Sequence, residues 1–437
     1  MFEDFALDAE TFSNRLIKWQ LFSLRVMGFM FARTDSFKLF HFTRGIFVTF
    51  SLLLLVTSQV RIVWLHPHDL EGIIPGAATS LVYINVISRI IAFYWYRKRY
   101  NKLLTNLQSG VRKILATNSP SEMRVYNNYI DYIIKIVYTI LLPLLIAVIL
   151  VSVEGVYFII YQSDGWTVQR QVGNTSTGMN HLFVLYPTGS LSESFLFTFI
   201  LPFYMVSIGL FSFFAWHTFN TALMRYISFR LDVVKYRLEN MLKETKQQQI
   251  HTTPSLESIE RDYVDILLKN SQPAESAPQL PELLKAILIS CVEDITEQNF
   301  IFSFTNEYEL VSRITLFFES STISGLLCMQ LYIISKDFFS GYGVYQFWCV
   351  ATIGLLWLYY WHADEISQKS NEITNALYSF NWYEAPLPLQ KDIALFMGSS
   401  MRPIIMKSGF INMNVNTFFT ILKTSYSYFT LLQNFAK

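Results

Sequence analysis

Seven long apolar blocks constrain this chain more than any other feature. In order they run Ile46–Leu65, Gly76–Tyr96, Tyr132–Tyr161, Phe195–Trp216, Ile314–Ile334, Tyr345–Trp361 and Asn414–Phe435, with polar segments between them. A helix needs about 20 mostly apolar residues to cross the hydrocarbon of a bilayer, and in lipid the backbone must satisfy its own hydrogen bonds. The blocks therefore predict an all-α fold, a bundle of seven transmembrane helices. The third block is long enough to tilt. Pro143 and Pro202 fall inside the third and fourth blocks, where a proline kinks a membrane helix without forbidding it. Composition agrees: 52% of residues are hydrophobic and 15% charged, against about 25% charged in soluble domains.

Lys and Arg gather on cytoplasmic loops, so their distribution gives the orientation. Arg15, Lys18, Arg25, Arg33, Lys38 and Arg44 precede the first span. Arg97, Lys98, Arg99, Lys102, Arg112, Lys113 and Arg124 lie between spans two and three, and a third basic group from Arg225 to Lys246 follows span four. The alternate loops are nearly free of them: none in 66–75, only Arg170 in 162–193, only Lys336 near Gly341. A cytoplasmic N-terminus and an extracellular C-terminus follow. Asn174-Thr175-Ser176, the single N-glycosylation sequon, falls in a loop assigned to the outside. A G-protein-coupled receptor also has seven spans, but its N-terminus is outside and a disulfide usually ties its third helix to an outer loop. Cys291, Cys328 and Cys349 offer no such pair and read as buried or reduced thiols.

Other classes find little support. The net charge is +1, and no basic and aromatic interleaving suggests nucleic acid. The acidic start, Met1–Phe12, is not a cleaved signal peptide. No nucleophile elbow, phosphate-binding glycine loop or metal-ligand spacing is present, so neither an enzyme nor a cofactor is expected. A secondary transporter would show repeated halves with broken helices, and none are visible.

The chain divides into a cytoplasmic N-terminal segment (1–43), four transmembrane helices (44–216), a cytoplasmic helical extension and loop (217–313), two further transmembrane helices (314–361), a cytoplasmic segment (362–408) and a last transmembrane helix (409–437). Asn14–Phe31 reads as an amphipathic helix on the inner membrane surface, with Leu16, Trp19, Phe22 and Val26 on its apolar face. The helical pattern continues past span four through Ala222–Leu242. Lys243–Pro281 reads as a mostly mobile loop with a short helical stretch near Tyr263–Leu268, and Glu282–Leu310 as an amphipathic lead into span five. His362–Trp382 prolongs span six. These one-sidedly apolar extensions are expected to pack together as a cytoplasmic anchor domain. Lys423, Arg89 and Glu154 are charges inside apolar spans. Lys423 is placed to snorkel or pair at the inner end, Arg89 to reach down to the basic cluster at Arg97, and Glu154 to meet ligand or water.

The last quarter carries a family resemblance. Ala363-Asp364-Glu365, Ser370, Ala376, Tyr378 and Trp382-Tyr383 are followed by Phe396-Met397, Arg402-Pro403 and Gly409-Phe410. The closing run is Thr417-Phe418, then Ile421-Leu422-Lys423-Thr424-Ser425-Tyr426-Ser427-Tyr428-Phe429-Thr430-Leu431-Leu432. This pattern resembles the insect odorant receptors. Relatives more often have Gly where this chain has Ala363, and often carry His near Cys291, where Val292-Glu293-Asp294 stands here. The ending differs from that of the shared co-receptor, so the chain resembles a ligand-tuning subunit. A gustatory-type receptor would share the topology, but the Ser425–Thr430 ending favours the olfactory branch. The resemblance implies a four-subunit, non-selective cation channel in the plasma membrane of olfactory neuron dendrites, built with the odorant co-receptor and gated by small volatile or hydrophobic ligands.

Two sets of residues become candidates. Thr420, Thr424, Ser427, Leu431 and Asn434 share one helix face. Such a hydroxyl stripe either packs on another helix or faces water. In the resembling family this helix lines the pore, so Leu431 would be an apolar gate and Asn434, with Gln433, the polar outer mouth. The ligand pocket is expected in the outer half of spans two, three, four and six, where Tyr83, Ile87, Ser152, Gly155, Ile159, Tyr204, Ile208, Tyr345 and Trp348 supply an apolar, aromatic lining.

Overall fold

The computed structural model describes residues 6–7, 15–32, 38–65, 70–117, 119–161, 169–172, 175–178, 200–248, 282–336, 344–379, 382–384 and 387–435. Ten α-helices occur among them: α1 Lys18–Val26, α2 Lys38–Leu65, α3 Leu70–Trp95, α4 Arg97–Thr117, α5 Pro120–Tyr161, α6 Leu201–Gln248, α7 Glu282–Lys336, α8 Val344–Tyr378, α9 Leu387–Ser400 and α10 Val415–Phe435. The seven apolar blocks, the fourth from Leu201 on, where its described helix begins, fall on α2, α3, α5, α6, α7, α8 and α10, a seven-helix membrane bundle. By length and composition, α2, α3, α5 and α7 each hold an apolar window fit to cross a membrane, at Leu39–Ser58, Gly76–Trp95, Glu122–Ile146 and Glu297–Ser335. α10 dilutes its apolar residues with Thr, Ser and Lys423, which lowers its hydropathy.

Helix length explains the second layer. At 1.5 Å per residue, the 55 residues of α7 extend about 80 Å, far beyond a hydrocarbon core of about 30 Å. α6, with 48 residues, overshoots in the same way. Glu282–Leu310 and span five are thus one helix, and span six runs unbroken into Tyr378. The overshooting ends lie side by side, registered by ion pairs: Arg237 to Glu122 at 2.6 Å, Lys235 to Glu372 at 2.7 Å, Lys369 to Asp232 at 2.6 Å, and Arg230 to Glu297. One apolar core continues from the membrane layer into this one. At their junction Trp216 packs against Phe93 at 5.2 Å and Phe29 at 5.9 Å between ring centroids, contacts that contribute about 1 kcal/mol each beyond burial.

The structure corrects three expectations. The link between spans two and three is the helix α4, which buries Tyr100, Leu103, Leu104, Leu107, Val111 and Ile114; its basic residues masked a period of three to four. α1 and the turn before it are apolar on two sides, with Leu16, Leu21 and Leu24 in the protein core and Trp19, Phe22 and Val26 exposed, so Leu16 does not share a face with the other three. Gly28, at φ +84°, turns the chain from α1 so closely beneath α2 that a Cβ would strike the carbonyl oxygen of His41. Third, Arg89 does not reach toward Arg97 but pairs across the bundle with Glu319. α6 also continues to Gln248, into the segment read as loop; the Tyr263–Leu268 stretch lies outside the described residues. Cys328 and Cys349 are buried free thiols.

Candidate functional site

The residues nominated for a ligand pocket separate into groups. Tyr83 and Ile87, one turn apart on α3, are both buried in the main core, and the Tyr83 ring lies over Gly209 of α6. A Cβ at Gly209 would come within 2.1 Å of that ring, so the missing side chain sets the spacing of α3 and α6. Ile208, next to Gly209, packs against the same core. Tyr204, one turn earlier on α6, is exposed beside Phe47 at 6.4 Å. Tyr345 and Trp348 pair at 6.3 Å on α8. Trp348 faces a different place, a cavity of about 20 Å³ between α3, α6, α7 and α8, lined also by Val82, Asn85, Phe213, Thr322 and Thr352. That is room for about one water. Ser152, Gly155 and Ile159 lie on the last turns of α5, but their side chains and that of Glu154 lie outside the described residues, as does Asn174.

A buried polar column, legible only in part from the sequence, runs down the middle of the bundle on α7. Gln330 donates to Thr352 at 3.4 Å, and Asn85 donates to Thr322 at 2.9 Å. One turn below, Arg89 of α3 pairs with Glu319. Nδ1 of His217 lies 3.3 Å from the same carboxylate and 2.9 Å from the Tyr359 hydroxyl. The side chains of Arg89 and Glu319 are 3% exposed and that of His217 is 1% exposed. Four helices, α3, α6, α7 and α8, therefore meet at one ionic cluster in a low-dielectric region. Intramembrane charges of this kind are expensive, pair with one another and mark functional regions.

The candidate pore helix α10 packs on α7 and α8 by one face. Phe418 meets Trp357 at 5.1 Å, and Ser425 shares a hydrogen bond of 3.0 Å with Ser324. On the opposite face Thr420, Ser427, Leu431 and Asn434 are exposed, Leu431 by 55%, while Thr424 is half-buried. Thr420, Thr424 and Ser427 donate back to the carbonyls of Asn416, Thr420 and Lys423 at 2.8–3.0 Å, which leaves their lone pairs outward. Gln433 is half-buried and, at 100° per residue, stands away from the stripe that ends at Asn434. Lys423 is exposed.

The extension of α8 carries a further cluster. Arg225 and Lys369 both pair with Glu365, Lys369 at 2.9 Å. Burial lowers the His362 imidazole from its ordinary value, so a neutral ring stands 3.2 Å from the Glu365 carboxylate. Burial by itself would raise the Glu365 carboxyl, but the hydrogen bond from His362 and the charges of Arg225 and Lys369 hold it well below the usual carboxylate range. Among the described residues no three His, Cys, Asp or Glu side chains gather as a metal site.

Comparison with known proteins places these elements in a family. The model of the seven-transmembrane odorant receptors matches residues 70–426. Odorant receptor 56a of Drosophila melanogaster is 24% identical over 444 residues, covering 99% of this chain and 98% of the relative. Odorant receptor Or2 of Anopheles gambiae is 35% identical over a shorter stretch of 79 residues, 18% of this chain and 21% of its own. Among solved structures, the insect olfactory receptor OR5 of Machilis hrabei, in complex with eugenol, superposes with a TM-score of 0.71 at 11% identity, covering 96% of this chain and 97% of that one.

Proposed function

Since the chain belongs to the seven-transmembrane odorant receptor family, we propose that it is the ligand-tuning subunit of an odorant-gated, non-selective cation channel. The odorant co-receptor supplies the remaining subunits. The observation that carries the channel reading is the outer face of α10. In a single chain, Thr420, Ser427, Leu431 and Asn434 face away from their own bundle. Hydroxyls with outward lone pairs are costly against lipid, and α10 lies at the edge of the bundle, so several chains brought together would wall a water-filled axis. Leu431 is the one apolar side chain near the Asn434 end of that stripe and is the natural dewetting constriction.

The ligand enters between spans two, three, four and six. Gly209 under Tyr83, with Ile87 and Ile208 alongside, gives an apolar wall with one phenol. This chemistry suits a small, largely apolar molecule, and the eugenol bound by the Machilis relative makes small aromatic volatiles the first probes. The Lys/Arg distribution supports Met1 inside and Lys437 outside, and membership of the family supports the plasma membrane of olfactory neuron dendrites as the location. The deciding experiment is two-electrode voltage clamp in oocytes with an odorant panel. Odorant-evoked currents are expected only when this chain and the co-receptor are expressed together, and equal currents from either alone would overturn the subunit reading. A C-terminal tag stained on intact cells, with an N-terminal tag stained only after permeabilisation, is the expected topology.

A further inference from the structure

The outer ridge of α3 and α4 changes character at one residue. Ile91, Trp95, Lys98 and Lys102 follow a four-three-four spacing, so they share one helix face. The face survives the joint between the two helices. There the Tyr96 N–H donates to the Ala92 carbonyl at 2.8 Å and the Tyr100 N–H to the Tyr96 carbonyl at 3.0 Å, both helical bonds. All four side chains are exposed, Trp95 by 81%. The ridge is apolar up to Trp95 and basic from Lys98 on, and α4 contains no Asp or Glu. A tryptophan at such a switch marks the headgroup level of a membrane helix.

A second ridge runs beside the first in the opposite direction. Asn85 bonds to Thr322, Arg89 pairs with Glu319 and Lys102 with Glu307, so each step forward on α3 and α4 is a step back on α7. That register sets Ile91 level with Phe318, Trp95 with Ile314 and Lys98 with Leu310. Phe318, Ile314 and Leu310 lie on the α7 face that carries Glu307 toward α4, and all three are exposed. The seam between the ridges is therefore an apolar valley open to lipid, and its end is charged. Glu307 lies 2.9 Å from Lys102 and 3.5 Å from Arg99, whose side chains stay 58% and 45% exposed. Lys98 is exposed and forms no ion pair among the described residues. Three cations thus face one carboxylate, and the surplus is accessible.

We infer that this seam seats an anionic phospholipid, with an acyl chain along Ile91, Trp95, Ile314 and Phe318 and the headgroup phosphate at Lys98, Arg99 and Lys102. The bilayer already covers the apolar half of the seam, so lipid is the occupant at hand, and the surplus positive charge selects among lipids. That the lipid belongs to the inner leaflet rests on the orientation proposed above. The seam itself does not, and the test is made in detergent, without leaflets and without reading a current.

The purified full-length chain in a maltoside detergent is titrated with dioctanoyl phosphatidylserine or dioctanoyl phosphatidylcholine while thermal unfolding is followed. Phosphatidylserine should raise Tm saturably and bind about fivefold tighter than phosphatidylcholine, a difference that shrinks as salt rises from about 0.1 M to about 0.5 M. Lys98→Gln removes an exposed ammonium, so its lipid-free Tm should match the wild type while the apparent Kd for phosphatidylserine rises about fivefold. Lys113→Gln, exposed on the same helix about 22 Å further along, should leave that Kd unchanged. Equal responses to the two lipids, an unchanged Kd in Lys98→Gln, or equal weakening by Lys98→Gln and Lys113→Gln would overturn the site. Glycerophosphoserine binding as tightly as the lipid would overturn the lipid as occupant. An oligomer in lipid-free detergent that Phe318→Ser dissociates would assign the seam to a second copy of the chain instead.

Discussion

Consider replacing the members of the Arg89–Glu319 pair one at a time and then together. Both side chains are 3% exposed, so neither stranded charge gains water when its partner goes. Removing one member of a buried pair typically costs 3–5 kcal/mol, whereas replacing both by apolar residues of similar volume is often close to neutral. The surroundings rank the two single variants. In Arg89→Met, Glu319 keeps Nδ1 of His217 at 3.3 Å and, as a carboxyl, can also take up a proton. The loss should fall at the lower end, about 3 kcal/mol. In Glu319→Leu, Arg89 keeps a guanidinium that does not deprotonate, so the loss should approach about 5 kcal/mol. Surface biotinylation together with thermal unfolding in detergent reads all three. The expected order of stability is wild type close to Arg89→Met/Glu319→Leu, then Arg89→Met, then Glu319→Leu. A double variant as unstable as the sum of the two singles would show that the charges do not interact, and would refute the reasoning from pairing.

Three further outcomes follow from the geometry. Leu431→Ser should raise resting current without odorant, or move the dose response to lower concentration, because it wets the proposed constriction; in the proposed mixed tetramer the effect is partial, and unchanged resting current and dose response at normal surface expression would remove α10 from the gate. Gly209→Ala puts a methyl into the Tyr83 ring at 2.1 Å and should cost about 1–3 kcal/mol of stability by overpacking, with Tyr83→Leu in the same chain restoring folding; thermal unfolding of the single and double variants checks it. The Glu365 carboxyl is held well below its usual range. A depressed carboxylate contributes stability above its unfolded value, about 4.3, and loses it as pH falls through the lower folded value. The Tm gap between wild type and Glu365→Gln should therefore be constant from neutral pH to about 5 and close only below about 4.3, and a gap that closes near neutrality would contradict the assignment.

Periodicity carried most of the fold, since seven apolar blocks can be counted without knowing what touches what. It failed at α4, where Arg97, Lys98, Arg99 and Lys102 open a helix whose apolar buried residues start only at Tyr100 and Leu103, Arg97 itself being buried with them. The site was less legible, for a physical reason. A face that looks outward, such as Thr420, Ser427, Leu431 and Asn434, is a local property of one helix and can be read from spacing. A partner in the interior is not. Glu319 sits among Phe317, Phe318 and Ser320 and resembles any acid near the end of a span, and Arg89 lies 230 positions earlier in the chain. The usable signal was the pairing rule itself. Two opposite charges inside apolar spans are each too costly to stay alone, and Arg89 in span two with Glu319 in span five satisfy it. His217, one residue past the end of span four, and Tyr359, in span six, complete the cluster, so its four members come from four different helices.

The same cluster bears on how the proposed ligand binding could be coupled to α10. α7 holds Glu319 for the ionic cluster on one side and, on the other, Ser324, which bonds to Ser425 of α10. The two contacts lie little more than one helical turn apart on a rigid helix, so α7 cannot rotate at one without displacing the other. Coupling of this kind needs an element with two arrangements whose balance both sites bias. Ser425→Ala tests whether the Ser324 contact is part of it. The lost hydrogen bond amounts to about 1 kcal/mol and Ser324 keeps room for water, so folding and surface expression should match the wild type. If the contact is equally strained in closed and open channels, the odorant dose response will not move. If it holds α10 closed, the response will shift to lower odorant concentration by up to about fivefold, the equivalent of that 1 kcal/mol. We expect the second result, because Ser425 is buried where α10 packs on α7; a dose response superimposable on the wild type would confine α7 to a structural role.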